Sequence, residues 1–221
     1  MANEINTSEL TNHFGRQQII SYKTLRVFIG VAGITLPLLM IIGKFISSSN
    51  MQLEFSVSDY YDDGMAGDFL VGILFALGFF LFSYRGYEPI DNKIANAGAV
   101  MALGVALFPT TSKILWVHYM HFVFSILLFV VFIVFSIYLF RKTNKNETPS
   151  DEKKDRNKIY LLCGLIMIAS IIGIAVGMIW FEETCAKMSL VFWGEAIALI
   201  SFGISWLTKS EWLYLKDKKN T

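Results

Sequence analysis

The chain has 221 residues, of which 54% are hydrophobic and only 17% are charged, and its mean hydropathy is +0.51. These values exclude an ordinary soluble globular domain, in which charged residues recur every few positions. A formal net charge of +1 gives no reason to expect a nucleic acid as a partner. We therefore predict an all-α polytopic membrane protein, folded as a single domain over residues 1–221.

Long apolar runs separated by short charged clusters predict six transmembrane helices. The residues before about position 24 are too polar to enter a bilayer, and no cleavable signal peptide is visible among them. A hydrophilic, solvated linker at 141–158 separates the fourth span from the fifth. The predicted spans are about 24–46, 68–84, 94–108, 114–140, 159–181 and 188–207.

The distribution of lysine and arginine predicts the orientation of these helices. Basic residues concentrate before the first span, between the second and third, in the 141–158 linker and after the sixth. The three remaining connections are poor in bases: the first has none, the next has only Lys113, and the last has Lys187 beside Glu182 and Glu183. Since positive charges stay on the cytoplasmic side, both termini are expected in the cytoplasm, and the location that fits is the bacterial inner membrane.

Two stretches indicate how particular helices pack. The third span is rich in alanine and glycine, which predicts a helix inside the bundle. Ala169, Gly173 and Gly177 recur at four-residue spacing and predict a close-packing stripe on the fifth span. Five aromatic residues are expected in a belt at the outer membrane surface: Tyr60, Tyr61, Trp116, Trp180 and Trp193.

Ionisable side chains of the predicted spans gather toward the outer leaflet. His118 and His121 lie one turn apart on the fourth span, and Glu195 lies on the last. Asp68 begins the second span, and Asp59 lies in the loop before it. Ionisable groups within a membrane are costly and usually have a partner or a water-filled cavity. The pattern predicts an outward-facing polar pocket formed by the first loop and spans two, four and six.

Three interpretations of this pocket are open. His118 and His121, with carboxylates from Asp59, Asp68 or Glu195, form a donor set suited to zinc, and a metal-bound water there would hydrolyse a lipid amide or ester. Without a metal, the same pocket would bind a membrane lipid headgroup or a small ligand. In the third interpretation the polar residues only fix helix packing through hydrogen bonds.

A resemblance to known families rests mainly on residues 50–110. The loop carries S-x-S-D-Y-Y from Ser56, followed by G-x-x-x-D-F-x-x-G from Gly64, and Arg85 closes the second span. In this the chain resembles bacterial six-pass membrane proteins of undefined activity, and it is loosely similar to the Frag/DRAM-type membrane proteins. That resemblance implies the topology and nothing about chemistry.

A more distant likeness is to the alkaline-ceramidase-like hydrolases, whose membrane-embedded zinc is held by histidines near an aspartate and a serine. It implies His118, His121, Asp68 and Ser58 as the site of a zinc-dependent lipid amidase or esterase. That family has seven spans and three histidines at its metal, whereas the third histidine of this chain, His13, is predicted on the cytoplasmic side.

Overall fold

The computed structural model describes residues 7–47, 52–86, 88–143 and 149–211, and side chains within these ranges from residue 23 onward. All of the regular secondary structure in these ranges is helical. A 3₁₀ turn at Ser58–Asp62 precedes α2, and a π-helical segment at Phe135–Leu139 continues α4. The α-helices are α1 (Thr7–Ser47), α2 (Met65–Ser83), α3 (Pro89–Leu107), α4 (Leu115–Val134), α5 (Asp151–Trp180), α6 (Glu182–Met188) and α7 (Leu190–Lys209).

Five of the described helical segments are long and apolar enough to cross a membrane, which confirms the all-α class and the membrane-protein prediction. The sixth predicted span corresponds to α3, whose alanines, glycines and two charged residues near its start make it less apolar. The number of crossings and the location of the termini therefore stay predictions. The five segments are Lys23–Ser47, Met65–Ser83, Leu115–Leu139, Asp151–Trp180 and Leu190–Lys209.

Helix α5 begins earlier than the sequence suggested. The linker predicted at 141–158 is helical from Asp151 onward, because the Ser150 side chain accepts a hydrogen bond from the Lys153 backbone N–H and caps the first turn. Arg156, expected in solvent, is buried. The solvated connection is therefore shorter than predicted.

The helices pack side by side in the order α4, α3, α2, α1, α7 and α5. The α1 and α7 backbones approach closely, because a Cβ atom on Gly203 would lie only 2.5 Å from the Gly30 carbonyl oxygen. Helix α5 approaches the π-helical segment where Gly164 meets Ile137. The first and last helices of this order, α4 and α5, are therefore in contact near the end of α4, and the row of helices closes into a ring there.

One end of the bundle, which we call the loop end, carries residues 52–63 between α1 and α2. Helix α3 runs alongside α2 and ends at the loop end, where the Ala106 carbonyl accepts a hydrogen bond from the Tyr61 hydroxyl at 2.7 Å. Its 19 residues span about 28 Å at the usual helical rise. Helix α3 packs its small residues against its neighbours, with Gly98 against Val131 of α4, but it is not an interior helix, because Val100 and Leu107 on its other face are exposed.

Two predictions about surfaces are wrong. On α5, Ala169 and Gly173 face away from the bundle, and nothing lies within 4 Å of a Cβ built on Gly173. Of the three predicted stripe residues only Gly177 is closely packed, against Cys185 of α6, so there is no continuous stripe. Tyr60 is fully buried instead of lying in an aromatic belt, because its ring packs against Phe192 under the loop. The tryptophans of the predicted belt, Trp116, Trp180 and Trp193, are exposed.

Candidate functional site

Residues 52–63, the first loop, fold onto the loop end of the bundle. Lys44, buried at the end of α1, forms ion pairs with Glu54 and Asp63, which flank the 3₁₀ turn. The Glu54 backbone N–H donates to the Tyr60 hydroxyl at 3.3 Å. Burial, and then the charge of Asp63, raise the pKa of Tyr60 to about 12, so its hydroxyl keeps its proton at neutral pH. The loop is therefore held at both of its ends.

The start of α2 is shaped to receive this loop. A Cβ atom on Gly67 would lie 2.1 Å from the Tyr61 carbonyl oxygen, so only glycine allows the 3₁₀ turn to rest on the helix. Gly64 has φ of 51°, in the left-handed region that glycine adopts without strain. These two glycines let the chain fold back sharply from the turn into α2.

Helix α7 anchors the same loop from the opposite side. The Val57 backbone N–H donates to Glu195 Oε2 at 2.7 Å, and the Phe192 N–H donates to the Phe55 carbonyl at 2.9 Å. The Ser189 hydroxyl donates to the Leu53 carbonyl at 3.3 Å. The carboxyl group of Glu195 is thus fixed directly beneath the first loop.

Helix α4 contributes His121, which is completely buried. Its Nδ1 lies 2.5 Å from the Phe108 carbonyl oxygen, and its Nε2 lies 2.9 Å from Ser58 Oγ. A carbonyl oxygen can only accept a hydrogen bond, so Nδ1 carries the proton. In the neutral ring Nε2 is then an acceptor, and the Ser58 hydroxyl donates to it.

His118 occupies a different position, one turn earlier on α4. Its Nδ1 lies 2.5 Å from the Thr110 carbonyl oxygen, and its ring packs edge-on against Phe122. The Thr110 hydroxyl in turn donates to the Ser58 carbonyl at 3.2 Å. His118 therefore supports the 108–114 connection and reaches Ser58 only through Thr110.

A cavity of about 360 Å³ lies beneath the first loop, between α4, α5 and α7. It exists because α5, which contacts the far end of α4, leaves a gap at the loop end. Its polar end is formed by Ser56, Ser58, Asp59 and Glu195, and the rest of its wall is apolar except for Ser125. The apolar lining consists of Phe55, Phe122, Ile126, Phe129, Ile171, Ile174, Met178, Val191 and Ala198, with Ser125 among them.

This cavity opens sideways, toward the face that the bundle presents to lipid. Ile126 and Phe122 on α4 line it and are 60% and 45% exposed, and Met178 on α5 lines it and is 38% exposed. Residues that border a cavity and are also exposed mark its opening. The opening therefore lies between α4 and α5, on a surface rich in large apolar side chains.

A second, smaller cavity of about 50 Å³ continues toward the bundle axis. Ser58, Ser125 and Glu195 border both cavities. Its volume exceeds what one water molecule needs, and these three side chains supply polar partners. Within the described residues the Ser125 hydroxyl is buried and has no hydrogen-bond partner.

The predicted site residues are only partly brought together. Asp59 and Glu195 border the cavity, and His121 reaches it through Ser58. Asp68 is exposed on the first turn of α2, because the 3₁₀ turn covers the helix face that carries Gly67 and not the face that carries Asp68.

The predicted zinc set of His118, His121 and Asp68 is not assembled. In the parts of the chain that the structure describes, no three histidine, cysteine, aspartate or glutamate side chains are grouped so that they could hold a metal ion. Both histidines instead direct Nδ1 at backbone carbonyl oxygens. The side chain of His13 lies outside the described residues.

Sequence reasoning did not identify Ser125 or Lys44. Ser125 lies four residues after His121, so helical periodicity places both on one face and was a usable signal. Lys44 is a lone cation at the end of an apolar span, directly before an acidic loop. The ion pairs that Lys44 forms explain why a lysine occurs at the predicted outer end of the first helix.

No family model matches the chain, and comparisons with characterised proteins and with solved structures found no significant similarity.

Proposed function

We propose that this chain is a six-pass protein of the bacterial inner membrane, with both termini in the cytoplasm, that binds a single-chain amphiphile from the outer leaflet. The bound molecule enters between α4 and α5. Its apolar chain lies in the 360 Å³ cavity, and its polar group faces Glu195 and the serines of the first loop.

The sixth crossing is supported by the path of α3. Helices α2 and α4 are each apolar enough to cross, and α3 packs between them while returning to the loop end. If α2 and α4 cross in the same direction, the helix that joins them must cross in the other. Its two charged residues near the start, Asp91 and Lys93, then lie at the membrane boundary.

Cysteine labelling in intact cells tests this topology. The native cysteines, Cys163 and Cys185, are buried and are replaced by serine. A membrane-impermeant maleimide should label Lys113→Cys, in the 108–114 connection, and should label Lys93→Cys only after the membrane is permeabilised. Labelling of both positions from the same side would show that α3 does not cross.

One observation carries the binding proposal: a cavity that opens on the apolar flank has its carboxyl groups at one end, beneath the first loop, and a mostly apolar wall elsewhere. Its volume lies within the range of small-molecule sites, and its mostly apolar wall suits a hydrocarbon chain. The carboxyl groups of Glu195 and Asp59 at the polar end favour a headgroup that donates hydrogen bonds, such as an amine, an amide or a hydroxyl. A molecule already dissolved in the leaflet would reach this opening without crossing water.

The proposal is tested by photo-crosslinking of the full chain in membranes. The probe is a monoacyl phosphatidylethanolamine with a diazirine in its acyl chain, and mass spectrometry of peptides maps the attachment. We expect crosslinks to α4 and α5 at cavity-lining positions such as Phe122, Ile126 and Met178.

Two substitutions on α4 provide a matched pair. Ile126→Trp fills the mouth of the cavity and should reduce crosslinking at least tenfold. Leu127→Trp, at an exposed position outside the cavity lining, should leave it unchanged. Equal crosslinking in both variants, or crosslinks spread evenly over the apolar surface, would contradict a bound amphiphile.

A further inference from the structure

We infer that the cavity is an acyl-transfer site, with Ser58 as the nucleophile and His121 as its general base. This inference rests on the proposed amphiphile-binding function and names its substrate class, a carboxylic ester of a single-chain lipid. It requires no metal.

The first reason is the direction of the hydrogen bonds around His121. The Phe108 carbonyl fixes the proton on Nδ1, so the lone pair of Nε2 points at Ser58 Oγ, 2.9 Å away. A serine hydroxyl is a weak nucleophile until an adjacent base removes its proton. The pair therefore has the geometry and the tautomer that general-base activation needs.

The second reason is the contrast between the two serines of the loop. Ser56 Oγ accepts a hydrogen bond from the Asp59 backbone N–H at 3.2 Å and so belongs to the turn itself. Ser58 borders both cavities, its Oγ has a histidine partner, and its carbonyl accepts a hydrogen bond from Thr110. Only Ser58 combines access to the cavity with a base.

The third reason is Ser125, one turn beyond His121 on the same face of α4. Ser125 borders both cavities, and its hydroxyl is buried and unpartnered in the described part of the chain. A buried hydroxyl without a partner is costly, and a hydrogen bond to a bound ester oxygen would satisfy it. In this position Ser125 would stabilise the negative charge that develops on that oxygen.

The reaction balances with water as the only co-reactant. Ser58 Oγ bonds to the ester carbonyl carbon while its proton passes to His121 Nε2, and the alcohol leaves with that proton when the carbon–oxygen ester bond breaks. A water molecule in the 50 Å³ cavity, bordered by Ser58, Ser125 and Glu195, then attacks the acyl carbon. His121 takes a proton from that water and returns it to Ser58 Oγ, which releases a carboxylic acid.

The test uses a long-chain alkyl fluorophosphonate, which modifies activated serines covalently, on the full chain in membranes. Intact-mass measurement and peptide mapping should find one adduct, at Ser58. Ser83→Ala, which removes an exposed hydroxyl at the other end of α2, is the control and should be labelled within about twofold of the unmodified protein. Ser58→Ala should not be labelled, and His121→Asn should be labelled at least about 100-fold more slowly, since general-base catalysis contributes that much or more.

Folding and binding are followed separately in the same variants. Ser58→Ala leaves Nε2 of the buried His121 without its donor, so its unfolding temperature should fall modestly. Its crosslinking to the photoreactive lipid should persist, because most of the cavity wall is apolar and unchanged. Lipid crosslinking without any fluorophosphonate adduct would overturn the acyl-transfer inference and leave the binding proposal intact. An adduct that persists in Ser58→Ala would also overturn it, and the absence of both crosslink and adduct would overturn both proposals.

Discussion

Glu195 Oε2 accepts a hydrogen bond from the backbone N–H of Val57, which lies 138 residues earlier in the chain, at a distance of 2.7 Å. This bond ties the first loop to α7 at the polar end of the cavity. The position of Ser58, the next residue, depends on it. The stability of the loop and the geometry of the candidate site are therefore coupled through one carboxyl group.

Replacement of Glu195 by alanine should destabilise the protein by about 1–3 kcal/mol, because the N–H of the buried Val57 loses its acceptor. Glu195→Gln keeps a side-chain oxygen at nearly the same place and should unfold close to the unmodified protein. Thermal unfolding in detergent measures both. Equal losses in the two variants would mean that this hydrogen bond does not hold the loop.

The ion pair between Lys44 and Glu54 should show measurable coupling, since the Lys44 side chain is only 7% exposed. In a double-mutant cycle with Lys44→Met and Glu54→Gln, we expect a coupling free energy of about 1 kcal/mol or more. Lys158 and Asp155 form an exposed pair on α5 and are the control cycle, for which no coupling is expected. Additive effects of Lys44→Met and Glu54→Gln would show that the pair contributes nothing.

Lys142 should stabilise the other end of the bundle in a pH-dependent way. Burial lowers the pKa of Lys142, but hydrogen bonds to Asp91 and Glu88, at 2.5 and 2.7 Å, outweigh burial and raise it above its ordinary value of 10.5. A raised lysine pKa stabilises the folded state below the ordinary pKa, and this contribution is lost as the pH rises through the folded-state pKa.

Lys142→Met should therefore lower the unfolding temperature at pH 7, and its difference from the unmodified protein should shrink above about pH 10.5. Lys154→Met removes a lysine from an exposed pair on α5 and should change stability far less. A pH-independent difference for Lys142→Met would argue that its packing matters and its charge does not.

Replacing glycine by alanine should cost much more stability at the contact between α1 and α7 than on the exposed face of α5. Gly203→Ala places a Cβ atom against the Gly30 carbonyl and should cost about 1–3 kcal/mol of unfolding free energy. Gly173→Ala, on the face of α5 where no atom lies within 4 Å, should be tolerated or slightly stabilising. Similar losses at both positions would indicate that the α5 face is also packed, for instance against a second copy of the chain.

The sequence predicted how far along the bundle several residues of the candidate site lie, but it did not predict which of them are in contact. Helical rise placed His121 and Glu195 near the same end of the bundle as the first loop, and the hydrogen bonds to Ser58 and Val57 agree with that placement. Asp68 was grouped with them because it has the same depth. Its exposure shows that depth does not determine which way a side chain points.

The sequence by itself determined that the chain is helical and has several segments able to cross a membrane, because the cost of burying charges in lipid is read from the local composition. Only the tertiary structure decided which polar atoms meet. Ser58 and His121 are 63 residues apart, and their contact depends on the rotation of α4, the path of the first loop and the separation of α4 from α5. These features arise from side-chain packing between distant helices, which local hydropathy does not record.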